Sequence, residues 1–208
     1  MRQFQKKYMT IFREFAGTRM RKGRALPTRW SLTLNVGAIS GNDDFEPAHN
    51  ALLYWFDQAF NDAVVVSTED KVGMGVALAV NNPIIMLPYT DADSVFTQAM
   101  HQKLKAILQL SMVVGEIKLM SNTNYGIAYT YDASDDDSVL PRTASEFMGH
   151  ETVHAMPWWT RNDFTTREYR VGEQVTDPMH GYTGTTEDTQ CKQPAQIVKV
   201  PNWVPKRV

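Results

Sequence analysis

Cysteine is almost missing from this sequence. Cys191 stands alone, so no disulfide can form within the chain and folding does not call for an oxidising compartment. Long apolar runs are missing too: none approaches the roughly 18 residues that a membrane-spanning helix requires. Neither sign of charge prevails. The formal net charge is −2, which gives no reason to expect nucleic acid as the main partner. The sequence shows no internal repeat and no low-complexity tract. Its start lacks the apolar segment and small-residue cleavage site of a secretory signal peptide. The expectation is synthesis in the cytoplasm of the producer, with any secretion following a signal-peptide-independent route.

What is present is ordinary for a globular protein: 43% hydrophobic and 21% charged residues in 208, enough chain to bury a core. Charge is distributed unevenly. The first 30 residues carry nine Arg and Lys and one acid, Glu14. Within them Phe4, Tyr8, Ile11, Phe12 and Phe15 recur at helical spacing, which predicts an amphipathic helix with a basic face. Such a helix packs its aromatic stripe on the domain. A targeting segment, a membrane-surface helix or a contact with an acidic partner are the alternatives.

From Trp30 the period changes. Trp30, Leu32, Leu34 and Val36 alternate with polar residues, as in a half-buried strand. Glu46 to Ala63 reads as a helix with Pro47 in its first turn and Leu52, Trp55, Phe56, Ala59 and Phe60 on its inner face. Val64–Val66, Val72–Val80 and Ile84–Leu87 read as short β runs. Ser94 to Leu110 reads as a helix, and Met112–Leu119 fits helix or strand equally. Asn124 to Asp132 alternates Tyr125, Ile127, Tyr129 and Tyr131 with small or polar residues, so a strand is expected. After an acidic loop, Thr143 and Glu146 have capping-box spacing and Pro157 ends what they begin, predicting a helix over Thr143–Met156. The pattern as a whole is α+β with a small mixed sheet.

That last helix carries the residues with chemistry. In His150-Glu151-Thr152-Val153-His154 the two histidines are four apart, so a helix sets them one above the other on the same face. Two imidazoles so placed can bind one Zn2+. Glu151 is one step along, in reach of a water on the metal without being a ligand, where it can act as general base and then as general acid. The expectation is a zinc metallopeptidase that hydrolyses peptide bonds without a covalent intermediate. A surface helix with two solvent-facing histidines is the structural alternative, and the chain is then a non-catalytic interaction protein.

A catalytic zinc commonly has three protein ligands and an open position. Glu168, Glu173, Asp163, Asp177 and His180 lie downstream of the motif, and Glu168 is the first choice because Thr165-Thr166-Arg167-Glu168 opens a second short helical segment. Thr165 and Glu168 also have capping-box spacing, an account of Glu168 that needs no metal. His180 and Tyr182, in Pro178-Met179-His180-Gly181-Tyr182, can donate a hydrogen bond to the developing oxyanion. The aspartates from Asp132 to Asp137 lack the alternate-ligand pattern and central glycine of a calcium loop and read as a solvated acidic loop.

The segment Gly149-His150-Glu151-Thr152-Val153-His154-Ala155, with Arg167-Glu168-Tyr169-Arg170-Val171-Gly172-Glu173 after a short loop, resembles the zinc metallopeptidase effectors delivered by bacterial type III secretion. Arg170 stands where those proteins have a small hydroxylated residue, so Glu168 and Glu173 both stay open as third ligand. The resemblance covers about 50 residues. It implies a zincin-like fold, cleavage of a host protein and action in a foreign cytosol. The organisation expected from these readings is a basic segment over 1–29, a zincin-like catalytic domain over 30–182 and an irregular tail over 183–208.

Overall fold

The basic N-terminal stretch is a strand, not the helix its spacing predicts. In a computed structural model that describes residues 8–38, 46–108, 112–132 and 134, β1 (Tyr8–Arg21) and β2 (Arg24–Ala38) form a long antiparallel hairpin. Phe15 is buried while its neighbours Glu14 and Ala16 are exposed, a period of two that the helical reading of Tyr8, Ile11, Phe12 and Phe15 hides. Lys22 and Gly23 make the turn, both with positive φ, as a two-residue hairpin of matching twist requires. The boundary expected between residues 29 and 30 falls in the middle of β2, and residues on both its sides belong to one sheet.

The fold is α+β, with a mixed six-stranded sheet in the order β4-β3-β1-β2-β5-β6. β3 (Val64–Ser67) and β4 (Ile84–Leu87) run parallel to β1, while β5 (Met112–Ser121) and β6 (Ala128–Tyr131) extend the antiparallel side. β5 settles the segment whose period was ambiguous. The register between β2 and β5 shifts between Leu34 and Val36, and burial on β5 passes from Met112 and Val114 to Ile117 and Leu119. An extra residue around Gly115 therefore breaks the alternation on which sequence reading depends. The strand expected over Asn124–Asp132 is shorter, because residues 122–126 form a turn with Tyr125 and Gly126 at positive φ.

One face of the sheet carries the main core. α1 (Glu46–Tyr54) continues as a π-helical segment, Trp55–Phe60, where the sequence suggests one unbroken helix to Ala63. The expected inner face is right: Leu52, Trp55, Phe56, Ala59 and Phe60 are all buried. α3 (Asp93–Leu108) lies beside it. Between helices and sheet, Phe15 meets Phe60 edge-on at 3.9 Å, and Phe96 lies 5.7 Å from Trp30 and 5.6 Å from Phe60. Gly17 makes this approach possible, since a Cβ there would sit 2.5 Å from the Ala63 carbonyl oxygen.

Among the described residues, the other face is covered only in part. The run Val72–Val80, expected as β, is mostly helix: α2 spans Lys71–Ala79. Asp70 caps it by accepting from the Gly73 N–H at 2.9 Å, and its second oxygen accepts from the Gly23 N–H at 2.8 Å. These backbone donors hold its carboxyl below the usual range. The small residues Gly73 and Ala77 face the sheet, where Ala77 joins Met20, Val64, Val66 and Ile84 in a second cluster. Val72, Val76 and Leu78 are left exposed. The alternation of large and small residues in this run mimics a strand, but the cap and the close packing of its small positions select the helix. β3, buried along its whole length, lies between the two clusters.

A buried ion pair ties the layers together. Arg19 on β1 pairs with Asp93 at the start of α3, and both are 1% exposed. Asp93 also accepts from the Ser121 hydroxyl of β5 at 2.5 Å, and its backbone carbonyl accepts from Thr97 at 2.7 Å. The Arg19 guanidinium lies over the Trp30 ring at 5.5 Å. Removing one partner leaves the other charge buried and uncompensated, so Asp93→Ala is expected to lower stability by about 3–5 kcal/mol. The double variant Arg19→Met/Asp93→Leu is expected to lose less than Asp93→Ala alone; chemical denaturation of the three proteins checks the order.

Candidate functional site

The residues that the sequence singles out for catalysis and metal binding, His150, Glu151, His154, Glu168, His180 and Tyr182, lie outside the described residues. So do the alternative ligands Glu173, Asp163 and Asp177, the helix expected over Thr143–Met156, and the tail over 183–208. Among the described residues, no group of three or more His, Cys, Asp or Glu side chains comes close enough to hold a metal.

Two histidines are described. His101 is fully buried in α3, with its ring edge-on to Tyr131 of β6 at a centroid distance of 4.9 Å. It belongs to the packing of helix on sheet. This contact also buries Tyr131, the last residue of β6. His49 lies half-buried on α1. Burial, and then the positive charge of Arg13, push its pKa below the ordinary 6.5.

Among the described residues, a cleft of about 480 Å³ lies across β1, β2 and β5. The pairing of strands builds it. Glu14 lies opposite Ser31, which lies opposite Met120; one step along, Ala16 lies opposite Arg29. Asn122 joins this second row, accepting from the Arg29 N–H at 3.0 Å and donating its own N–H to the Arg29 carbonyl at 3.1 Å. Asn61, after the π-helical segment, forms a wall. Ser31 donates to Glu14 at 3.5 Å, a long contact that leaves the carboxylate open to other donors. The cleft thus offers a carboxylate, a guanidinium, a hydroxyl and two amides beside one thioether. Phe15, Ala16 and Trp30 complete a lining that is apolar and polar in similar measure and contains neither His nor Cys.

Sequence reading does not find this cleft. Its members come from four separated stretches of chain, and Glu14, Arg29 and Ser31 are only the outward partners in alternating strands until β1, β2 and β5 are aligned. Comparison with protein-family models and with curated proteins finds no match to this chain.

His49 generates a prediction about pH. Its depressed folded-state pKa means that the unfolded chain binds the proton more readily between that value and 6.5. The contribution of His49 to stability is therefore complete above pH 6.5 and declines as pH falls through this window. His49→Gln is expected to flatten the stability profile between about pH 5 and 7 relative to the parent chain. Denaturation midpoints measured across that range check it: unchanged slopes place the titration elsewhere.

Proposed function

We propose that this chain is a zinc-dependent endopeptidase that cleaves a protein substrate. The observation that carries the reading is the spacing of His150, Glu151 and His154, which gives two metal-binding imidazoles and one carboxylate in a single five-residue run. His150 and His154 are two ligands and Glu168 is the third. When bound, zinc supplies Lewis acidity towards the scissile carbonyl and makes water easier to deprotonate. Glu151 takes the proton from the attacking water and returns it to the leaving amine. His180 and Tyr182 are the candidates for donating a hydrogen bond to the oxyanion.

The α+β architecture with a mixed sheet is consistent with a zincin-like domain, and the resemblance to type III secretion effectors supports a host protein as substrate. No helix among the described residues is long and apolar enough to cross a membrane.

Glu151→Gln is the direct test of the chemistry. Glutamine keeps size and hydrogen-bonding reach but loses basicity, so hydrolysis of a peptide library is expected to fall by about 100-fold or more while bound zinc is unchanged. Near-parental turnover contradicts the role. The third ligand is separated by a pair of variants. Glu168→Ala is expected to lose zinc and activity, whereas Glu173→Ala keeps both. If Glu168 is only a helix cap, its removal costs about 1 kcal/mol of stability and leaves zinc affinity intact.

A further inference from the structure

The cleft across β1, β2 and β5 holds two opposite charges that do not pair with each other. Glu14 and Arg29 both line it and both are exposed. Their strand positions are diagonal neighbours, because Glu14 lies opposite Ser31, two residues along β2 from Arg29. Such neighbours stand about 7–8 Å apart, within reach of long side chains. Among the described residues, however, no ion pair joins them. The contact that Glu14 does make is with the Ser31 hydroxyl, at 3.5 Å.

The neighbouring groups keep the two signs apart. At the Arg29 end, Asn122 accepts from the Arg29 N–H at 3.0 Å through its side-chain oxygen. That bond fixes which end of the amide is oxygen, so the Asn122 NH2 group adds a donor to the same end of the cleft as the guanidinium. At the Glu14 end the groups are acceptors. The carboxylate is one, and the Ser31 oxygen keeps its lone pairs after donating its proton to Glu14. One end therefore attracts an anion and the other a cation. Between and beside them lie apolar groups: Met120 opposite Ser31, 38% exposed, and Ala16 opposite Arg29.

We propose that this cleft binds a free α-amino acid with an apolar side chain, as its zwitterion. The carboxylate lies against Arg29 and the Asn122 amide, the ammonium against Glu14 and the Ser31 oxygen, and the side chain against Met120 and Ala16. With a charge-assisted hydrogen bond of about 2.8 Å at either end, an ammonium and a carboxylate on one carbon bridge a diagonal of this length. The volume of about 480 Å³ admits a molecule of that size. An internal peptide segment carries neither terminal charge and leaves both Glu14 and Arg29 unmatched, which is what selects the free amino acid over a peptide. Both charges stay partly in water, which screens them. The dissociation constant is therefore expected in the range of about 0.1–10 mM. The assignment is independent of the proposed zinc chemistry.

The test is a protein-observed NMR titration of the full-length chain near neutral pH. Its probes are L-leucine, N-acetyl-L-leucine, which lacks the cation, and L-leucinamide, which lacks the anion. L-Leucine is expected to shift the Gly126 backbone and Asn122 side-chain amide signals, and the other two probes to bind about tenfold more weakly. Glu14→Gln is expected to weaken L-leucine by about tenfold and to erase its advantage over N-acetyl-L-leucine while keeping that over L-leucinamide. Arg29→Gln is expected to do the reverse. Both side chains are exposed, so melting temperatures of the two variants are expected to match the parent chain. Three results each overturn the proposal: no shifts at about 10 mM L-leucine, equal affinity for all three probes, or a preference for L-leucine that survives both substitutions.

Discussion

The pairing of Arg19 with Asp93 is the constraint on which the described fold most depends. It joins the central strand β1 to the first residue of α3, and Ser121 brings β5 into the same network. Withdrawing two charges from water costs several kcal/mol per ion, and their attraction offsets this only when the geometry and the remaining hydrogen bonds are good. Here the carboxylate has two side-chain donors and the guanidinium has an aromatic face beneath it. The orientation of α3 across the sheet follows from this set of partners. An apolar pair could fill the same volume but would not fix which end of α3 sits over β1. The aromatic layer of Phe15, Trp30, Phe60 and Phe96 then packs in the space that the pair defines.

Much of the fold is legible in the sequence where a segment carries its own pattern. The alternation from Trp30 to Val36, the apolar face from Leu52 to Phe60 and the helix that becomes α3 are local signals, and the structure bears them out. The failures have a common cause. Residues 8–21 have aromatic positions that fit a helix as well as a strand, and only their pairing with β2, reached through the Lys22–Gly23 turn, decides between them. The Val72–Val80 run alternates like a strand, and its decisive features are a cap at Asp70 and the contact of Gly73 and Ala77 with the sheet. The bulge on β5 erases a period that would have identified the strand. Tertiary partners override local preference in each case.

The candidate chemistry was legible for the opposite reason. An H-E-x-x-H run contains its geometry within five residues, so no distant partner is needed to recognise it. The third ligand and the oxyanion donors depend on how later chain folds back, and spacing leaves Glu168 and Glu173 both open. The cleft on the sheet had no local signature at all. It arises from how strands distant in sequence are ordered, and one wall of it, Glu14 to Ala16, lies among residues that the sequence suggested were a basic appendage.

The proposed function rests on a metal, and metal content tests it most directly. Elemental analysis of purified full-length protein, after dialysis against zinc-free buffer, should find about one zinc per chain, with the content lost in both His150→Ala and His154→Ala. A folded protein that carries no zinc and takes none up on titration contradicts the account and leaves the His150–His154 run an incidental pattern in an interaction protein.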